Sequence, residues 1–274
     1  MTDRDSGAIQ RPNLAPQSRR RWLIIAVAAV VVAAIAAGAY GFSYLFLRGP
    51  APAAVGLATT SPSATAVASG GASASPDASV AAGSSATTGG SLDGTWNVDA
   101  SIGSFSDFSG SFVGYRVEEE LANVGAATAV GRTPDVTGSL TLSGTTISAA
   151  ELTADLSTLQ SDDDRRDGQL QRQALETGTF PTATFTLTEP IDLGSVPADG
   201  EVFSVTATGD LTLHGQTKSV QIPLEARLSG NVVTVTGSLE IVFADYGMEK
   251  PTSFIVLSIA DRGTMELQLQ FTKG

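Results

Sequence analysis

His214 is the only histidine in the chain, and there is no cysteine. Catalysis through an imidazole needs a hydroxyl or thiol to activate and a carboxylate to orient the ring. The string Leu213-His214-Gly215 reads as a hairpin turn, where the imidazole is most simply a solvated loop group. One imidazole without thiolates also leaves out the His- and Cys-rich ligand sets that bind zinc. The acidic run Asp162, Asp163, Asp164, Asp167 carries enough charge for calcium, but its order does not fit the loop. Arg166 takes the fifth position and Gln173 stands where the bidentate glutamate belongs. Glu118, Glu119 and Glu120 end a strand-like run and read as rim charges, while Asp245 and Glu249 are placed to pair with Lys250. No carboxylate pair for acid–base work and no phosphate-cradling glycine motif is specified. The expectation is a non-enzyme with no metal and no cofactor.

The elements around these residues carry more information. From Trp22 to Leu47 no residue is charged, and as a helix the stretch would span roughly 39 Å against a hydrocarbon core of about 30 Å. Residues 22–47 are therefore expected to form a single transmembrane helix. A cleaved signal peptide ending near Ala37-Gly38-Ala39 is the alternative, although its apolar part would be unusually long. Arg19, Arg20 and Arg21 flank one end and Arg48 alone the other, so residues 1–21 are expected to stay cytoplasmic and the remainder outside. From Gly49 to Ser91 the chain is Ala, Ser, Thr, Gly and Pro with a few Val or Leu and one charge, Asp77, which predicts a disordered linker over 48–91 with a reach of roughly 35–40 Å.

From Leu92 to Gly274 charges and aromatics return, and the segment is strongly acidic within a chain of net charge −12. Such a domain repels phosphate backbones, so nucleic acid is not an expected partner. The dominant period is two. Phe203, Val205, Ala207, Gly209, Leu211 and Leu213 alternate with polar residues, as do Val220 to Leu228, Val233 to Phe243 and Met265 to Phe271. These read as antiparallel strands with one apolar and one wet face. Trp96–Ile102, Phe112–Leu121, Val136–Leu142, Ile147–Leu156 and Pro181–Leu187 read similarly, and Pro223 should mark an edge or bulge. The class is all-β, either a barrel of about eight strands or a sandwich. One helix is expected in Ser161–Gly178, opened by a Ser161/Asp164 capping box. Small residues on the apolar face (Ala150, Ala154, Ala207, Ala226, Gly209, Gly237) favour an apolar cavity over a filled core.

Certain strings also resemble a known family. Trp96-Asn97-Val98-Asp99 opens the domain, and Arg166-Asp167 with Leu170 precedes Phe180-Pro181-Thr182-Ala183-Thr184-Phe185. Gly209-Asp210-Leu211-Thr212-Leu213-His214-Gly215 follows, then Phe243-Ala244-Asp245-Tyr246-Gly247-Met248. In this order they resemble the YceI-like, polyisoprenoid-binding family. The resemblance implies a lipocalin-like antiparallel barrel with an inserted helix over 92–274. It also implies a long apolar lipid such as an isoprenoid or quinone tail as ligand, and homodimers in the cell envelope. A Phe-x-x-x-His segment common in that family is replaced here by Phe112-Val113-Gly114-Tyr115-Arg116-Val117, so a headgroup contact there does not carry over.

Ligand contacts in such a barrel form a diffuse lining, which strand phase assigns here to ligand-binding positions. They are Trp96, Val98, Tyr115 and Val117, followed by Leu140, Leu142, Leu152 and Leu156. Phe185, Leu187, Val205, Leu211, Ile222 and Leu224 continue the set. Val235, Leu239, Ile241, Leu267 and Leu269 complete the strands, and the helix adds Leu170. The alternative to a lipid carrier is a non-catalytic surface module with a filled core, holding no void above about 300 Å³.

Overall fold

Alternation of apolar and polar side chains builds strands here because each strand can turn one face to a shared interior. The computed structural model describes residues 29–30, 51–57, 92–252 and 255–274. The chain divides into two compact units, Met1–Pro50 and Ala51–Gly274. In the first, Ala29 and Val30 are helical. The rest of the expected span, the tail 1–21, and residues 48–50 and 58–91 of the expected linker lie outside the described residues. Among the described residues no helix is long and apolar enough to cross a membrane.

The second unit holds twelve described strands. In order they are β1 (Gly94–Val98), β2 (Phe112–Leu121), β3 (Gly125–Thr133), β4 (Val136–Ser143), β5 (Thr146–Asp155) and β6 (Thr182–Leu187). Then come β7 (Ile191–Asp192), β8 (Val202–Leu213), β9 (Gln216–Ser229), β10 (Val232–Val242), β11 (Val256–Ile259) and β12 (Arg262–Lys273). Eight of them form a closed antiparallel barrel in the order β1-β4-β5-β6-β8-β9-β10-β12, with β12 returning to β1. β10 pairs with β12 from Thr272 to Arg262, so one edge of β12 is fully used. Its other edge is shared: β1 takes Phe271 to Lys273 and β2 takes Thr264 to Gln268. β3 extends β2 and makes an isolated bridge from Arg132 to Gln160, closing the wall at that end.

Pro223 lies inside β9, opposite Thr206 of β8. Pairing of β9 with β10 ends at Leu224, so the residue without an amide donor falls where one ladder stops. Three strands escaped the alternation rule. β7 and β11 are short, and β3 has buried residues at every position from Ala129 to Thr133, which erases the period. β1 ends at Val98, with Asp99 capping a turn through Ser101, instead of running to Ile102.

The helix α1 (Asp164–Gln169) continues as a π-helical turn over Leu170–Ala174. The expected capping box is displaced by two residues. Asp163 is the cap, accepting from the amides of Arg165 and Arg166, while Ser161 donates through its amide and hydroxyl to Asp167. Arg166 then ties the helix to the barrel through Glu119 at 2.8 Å, with Asp162 at 2.5 Å. Burial opposes its charge, yet Glu119 and Asp162 outweigh this and hold its pKa above the ordinary arginine value. Glu119 is thus a buried partner, not a rim charge, and Lys250 pairs with Asp261 instead of Asp245 or Glu249.

The outer face of β12 is not wet. Glu266 is 1 % exposed and Gln270 is 7 % exposed. Gln268 donates to the carbonyls of Phe108 and Gly110, and Gln270 to that of Ser109, so the loop between β1 and β2 covers this wall. Beneath it Glu266 accepts from Arg116 at 2.9 Å and Arg132 at 3.2 Å. The Arg132 guanidinium lies against Phe108 and Phe112, 4.3 and 4.4 Å from the ring centroids.

Glycines on the inner face are paired with bulk, not with empty space. A Cβ at Gly209 would collide with the Thr186 carbonyl and the Phe185 ring, and one at Gly131 with the ring of Tyr115. Leu224 likewise covers Gly237, its register partner. The reading of Gly209 and Gly237 as sources of void is therefore corrected.

Two expectations follow. Gly209→Ala should lower unfolding stability by about 1–3 kcal/mol in urea titration, because a backbone oxygen blocks the added methyl; an unchanged midpoint would contradict the packing. Glu266→Ala leaves two arginines on a covered wall without their carboxylate and should cost about 3–5 kcal/mol by the same measurement.

Candidate functional site

The barrel interior is filled unevenly along its axis. At the helix end Leu156, Leu159 and Leu175 form a cluster joined by Tyr115, Leu170, Leu213 and Met248. Next to it Tyr246, Leu211, Ile241, Ile222, Ala207 and Phe185 pack together, with Phe243 and Leu239 against them. Tyr246 and Met248 come from the turn after β10, whose 3-10 segment Phe243–Tyr246 ends at Gly247 with φ 66°.

Towards the other end the packing is incomplete. A cavity of about 110 Å³ is lined only by apolar side chains. Leu140, Leu142, Leu152, Phe185 and Leu187 line it from β4 to β6, and Val205, Ile222, Leu224 and Val235 from β8 to β10. Trp96, Leu267 and Leu269 complete the part of the expected set that it brings together. Three small residues, Ala150, Ala207 and Ala226, also face it. Apolar walls of this kind exclude water and favour a hydrocarbon guest, as an engineered cavity of about 150 Å³ does for benzene.

The remaining expected residues lie elsewhere. Tyr115, Leu156 and Leu170 belong to the cluster at the helix end, and Leu211, Leu239 and Ile241 to the packing next to it. Val117 fills space over Gly263 beside Phe243, and Val98 packs on the Trp96 cluster without lining the cavity. Those placed on strands point inward as their phase requires, at a height other than that of the cavity. Lining residues that went unassigned fall into two groups. Phe203, Leu228, Val233 and Phe271 share the inward phase of their strands and could have been found by it. Leu92, Ile191, Leu193 and Pro197 come from the domain entry and the β6–β8 connection, and Ile147 lies past the register shift between β4 and β5, where no unbroken period reveals them.

His214 is in a turn as expected, with φ 50°, but it is not solvated. It is 9 % exposed. Nδ1 donates to the Tyr246 carbonyl, and Nε2 lies 3.0 Å from Glu176 Oε2. The Phe180 ring meets it edge-on at 4.6 Å. Both ring nitrogens are engaged and neither faces a hydroxyl, so the imidazole staples the β8–β9 turn to the helix end and to the turn after β10. Among the described residues no group of three or more His, Asp or Glu side chains is placed to hold a metal ion. The hydroxyls of Tyr115 and Tyr246 are buried without a partner, and burial pushes both phenols above their ordinary pKa.

A family model described as a YceI-like domain matches residues 96–271. Among solved structures, a polyisoprenoid binding domain from Saccharophagus degradans, implicated in plant cell wall breakdown, aligns with a TM-score of 0.51 at 24% identity. That alignment covers 65% of this chain and 98% of the other. BcnA of Burkholderia cenocepacia gives 0.47 at 21% identity, over 63% and 98% of the two chains. A YceI protein of Campylobacter jejuni gives 0.43 at 17% identity, over 53% and 84%. No curated protein matches the chain. The Saccharophagus domain shares the fold, and the family match takes in all of the closed barrel but the outermost ends of β1 and β12. The chain belongs to the YceI-like domain family.

Proposed function

We propose that the barrel binds a long apolar lipid of the isoprenoid or quinone-tail class, without catalysis, and that the N-terminal apolar stretch holds it at the outer side of a cell membrane. The observation that carries the reading is the cavity wall, which offers hydrocarbon contact and no polar group. Membership of the YceI-like family and the polyisoprenoid binding named for the Saccharophagus domain support the ligand class. The uncharged stretch 22–47 and its arginine flank support the anchor.

The volume constrains how such a ligand would sit. At about 110 Å³ the cavity is below the ~300 Å³ typical of a small-molecule site and takes only a short piece of chain. A longer tail requires side chains such as Leu193 and Phe203 to move aside, and each further buried CH₂ would add roughly 0.8 kcal/mol towards that displacement. The same volume favours a second reading, a surface module with a nearly filled core that needs no ligand. A homodimer, implied by the resemblance, belongs to the first reading and is open to light scattering.

The readings separate by experiment. Unit 51–274, purified without detergent, is expected to yield a co-purified prenyl lipid on organic extraction and native mass spectrometry. A protein that comes clean and ignores added polyprenol and menaquinone would leave only the module. Ala207→Leu is expected to fill the cavity, reduce lipid recovery at least ten-fold and leave the circular dichroism unchanged; full lipid retention would place the ligand elsewhere.

A further inference from the structure

Within the range expected to be a flexible linker, residues 51–57 are placed against the barrel, and they cross one particular wall. Leu267 and Leu269 face the cavity, so Glu266 faces outward, and register puts Arg116 and Arg132 on the same outer side. Arg116 donates to the Pro52 carbonyl at 2.7 Å and Arg132 to the Ala53 carbonyl at 3.0 Å. At the other end the Leu57 amide donates to Glu225 at 3.2 Å. Glu225 lies between the cavity-lining Leu224 and Ala226 of β9, so it too points outward. Pro52, Val55 and Leu57 are half-buried, while Ala53, Ala54 and Gly56 are exposed. The segment therefore runs from the β2–β3 side of the wall to β9.

Two features make this wall a seat for a peptide backbone. The two arginines share one carboxylate, Glu266, which leaves guanidinium donors over for neutral acceptors. Carbonyls supply these without a further charge, and charge-assisted bonds of this type are among the stronger ones. The seat is also partly walled, because Phe108 and Phe112 hold Arg132 in place.

We propose that residues 51–57 are a strap that stays docked on the outer barrel wall in the full-length chain, so that the reach expected of a 48–91 linker is interrupted there. The free tether then shrinks from the whole 48–91 segment to the few residues before Ala51. With a span ending at Leu47, as the proposed function supposes, only residues 48–50 lie between bilayer and strap, at most about 14 Å of chain.

The absence of cysteine allows site-directed spin labels in the full-length chain. Labels at Ala54→Cys and Asn231→Cys, both exposed positions, are expected to give one narrow distance peak by pulsed electron resonance. A label at Ser75→Cys paired with Asn231→Cys should give a broad distribution. Adding Val55→Asp and Leu57→Asp, changes on the strap that leave the barrel sequence intact, should abolish the narrow peak, as should Arg116→Ala. An Ala54 distribution as broad as that of Ser75 overturns the strap, and so does a narrow peak that survives the strap substitutions. Sedimentation with liposomes reports the anchor separately: a chain that stays in the supernatant defeats the span and leaves the distance result standing.

Discussion

A sheet edge carries a row of unpaired amides and carbonyls that must be paired or covered, and closing a barrel removes the edges altogether. In this domain the closure depends on β12. Its full length is committed to β10 on one side, and β1 and β2 divide the other. The two faces of the same strand then serve two separate environments. Leu267, Leu269 and Phe271 supply cavity wall, while Glu266, Gln268 and Gln270 hold the covering loop and the arginine pair. A strand with both faces covered and both edges paired has little freedom to shift register, since a one-residue slip would put Glu266 into the cavity and Leu267 against the arginines.

The interior obeys packing more than composition. Glycines facing inward do not leave holes, because Phe185, Tyr115 and Leu224 lean over them. Alanines do contribute space where no larger neighbour reaches across, as at Ala150, Ala207 and Ala226. The helix end is closed by Tyr246, Met248 and the leucines under the inserted helix, and His214 locks that closure through hydrogen bonds at both nitrogens. The apolar cavity bordered by Ala150, Ala207 and Ala226 lies beyond that closure.

Charge is distributed with the same economy. The chain is acidic overall, yet its buried ionic groups are matched locally: Glu266 with Arg116 and Arg132, Glu119 with Arg166. Buried pairs of this kind add little net stability against apolar replacements, but they penalise any arrangement that separates them. They thus fix where the covering loop and the helix sit. The surplus guanidinium donors at Glu266 are what give residues 51–57 a place on the wall.

Much of this was legible in the residues. Alternation from Phe203 to Leu213, Val220 to Leu228 and Met265 to Phe271 specified strands and their inward faces, and the strings from Trp96 to Met248 specified the family. A two-residue period gives the side on which a residue lies but not its height along the barrel axis. Leu211 and Val205 are therefore indistinguishable in sequence although only Val205 reaches the cavity. Nor can local pattern show that Glu266 and Gln270 are covered, because the cover comes from Phe108 to Ser111, far away in the chain. His214 looked solvated for the same reason, its partners Glu176 and Tyr246 being distant in sequence. Local chemistry determined which elements form and which way they face. Burial, depth and the docking of residues 51–57 were decided by contacts between remote segments, which exist only once the barrel has closed.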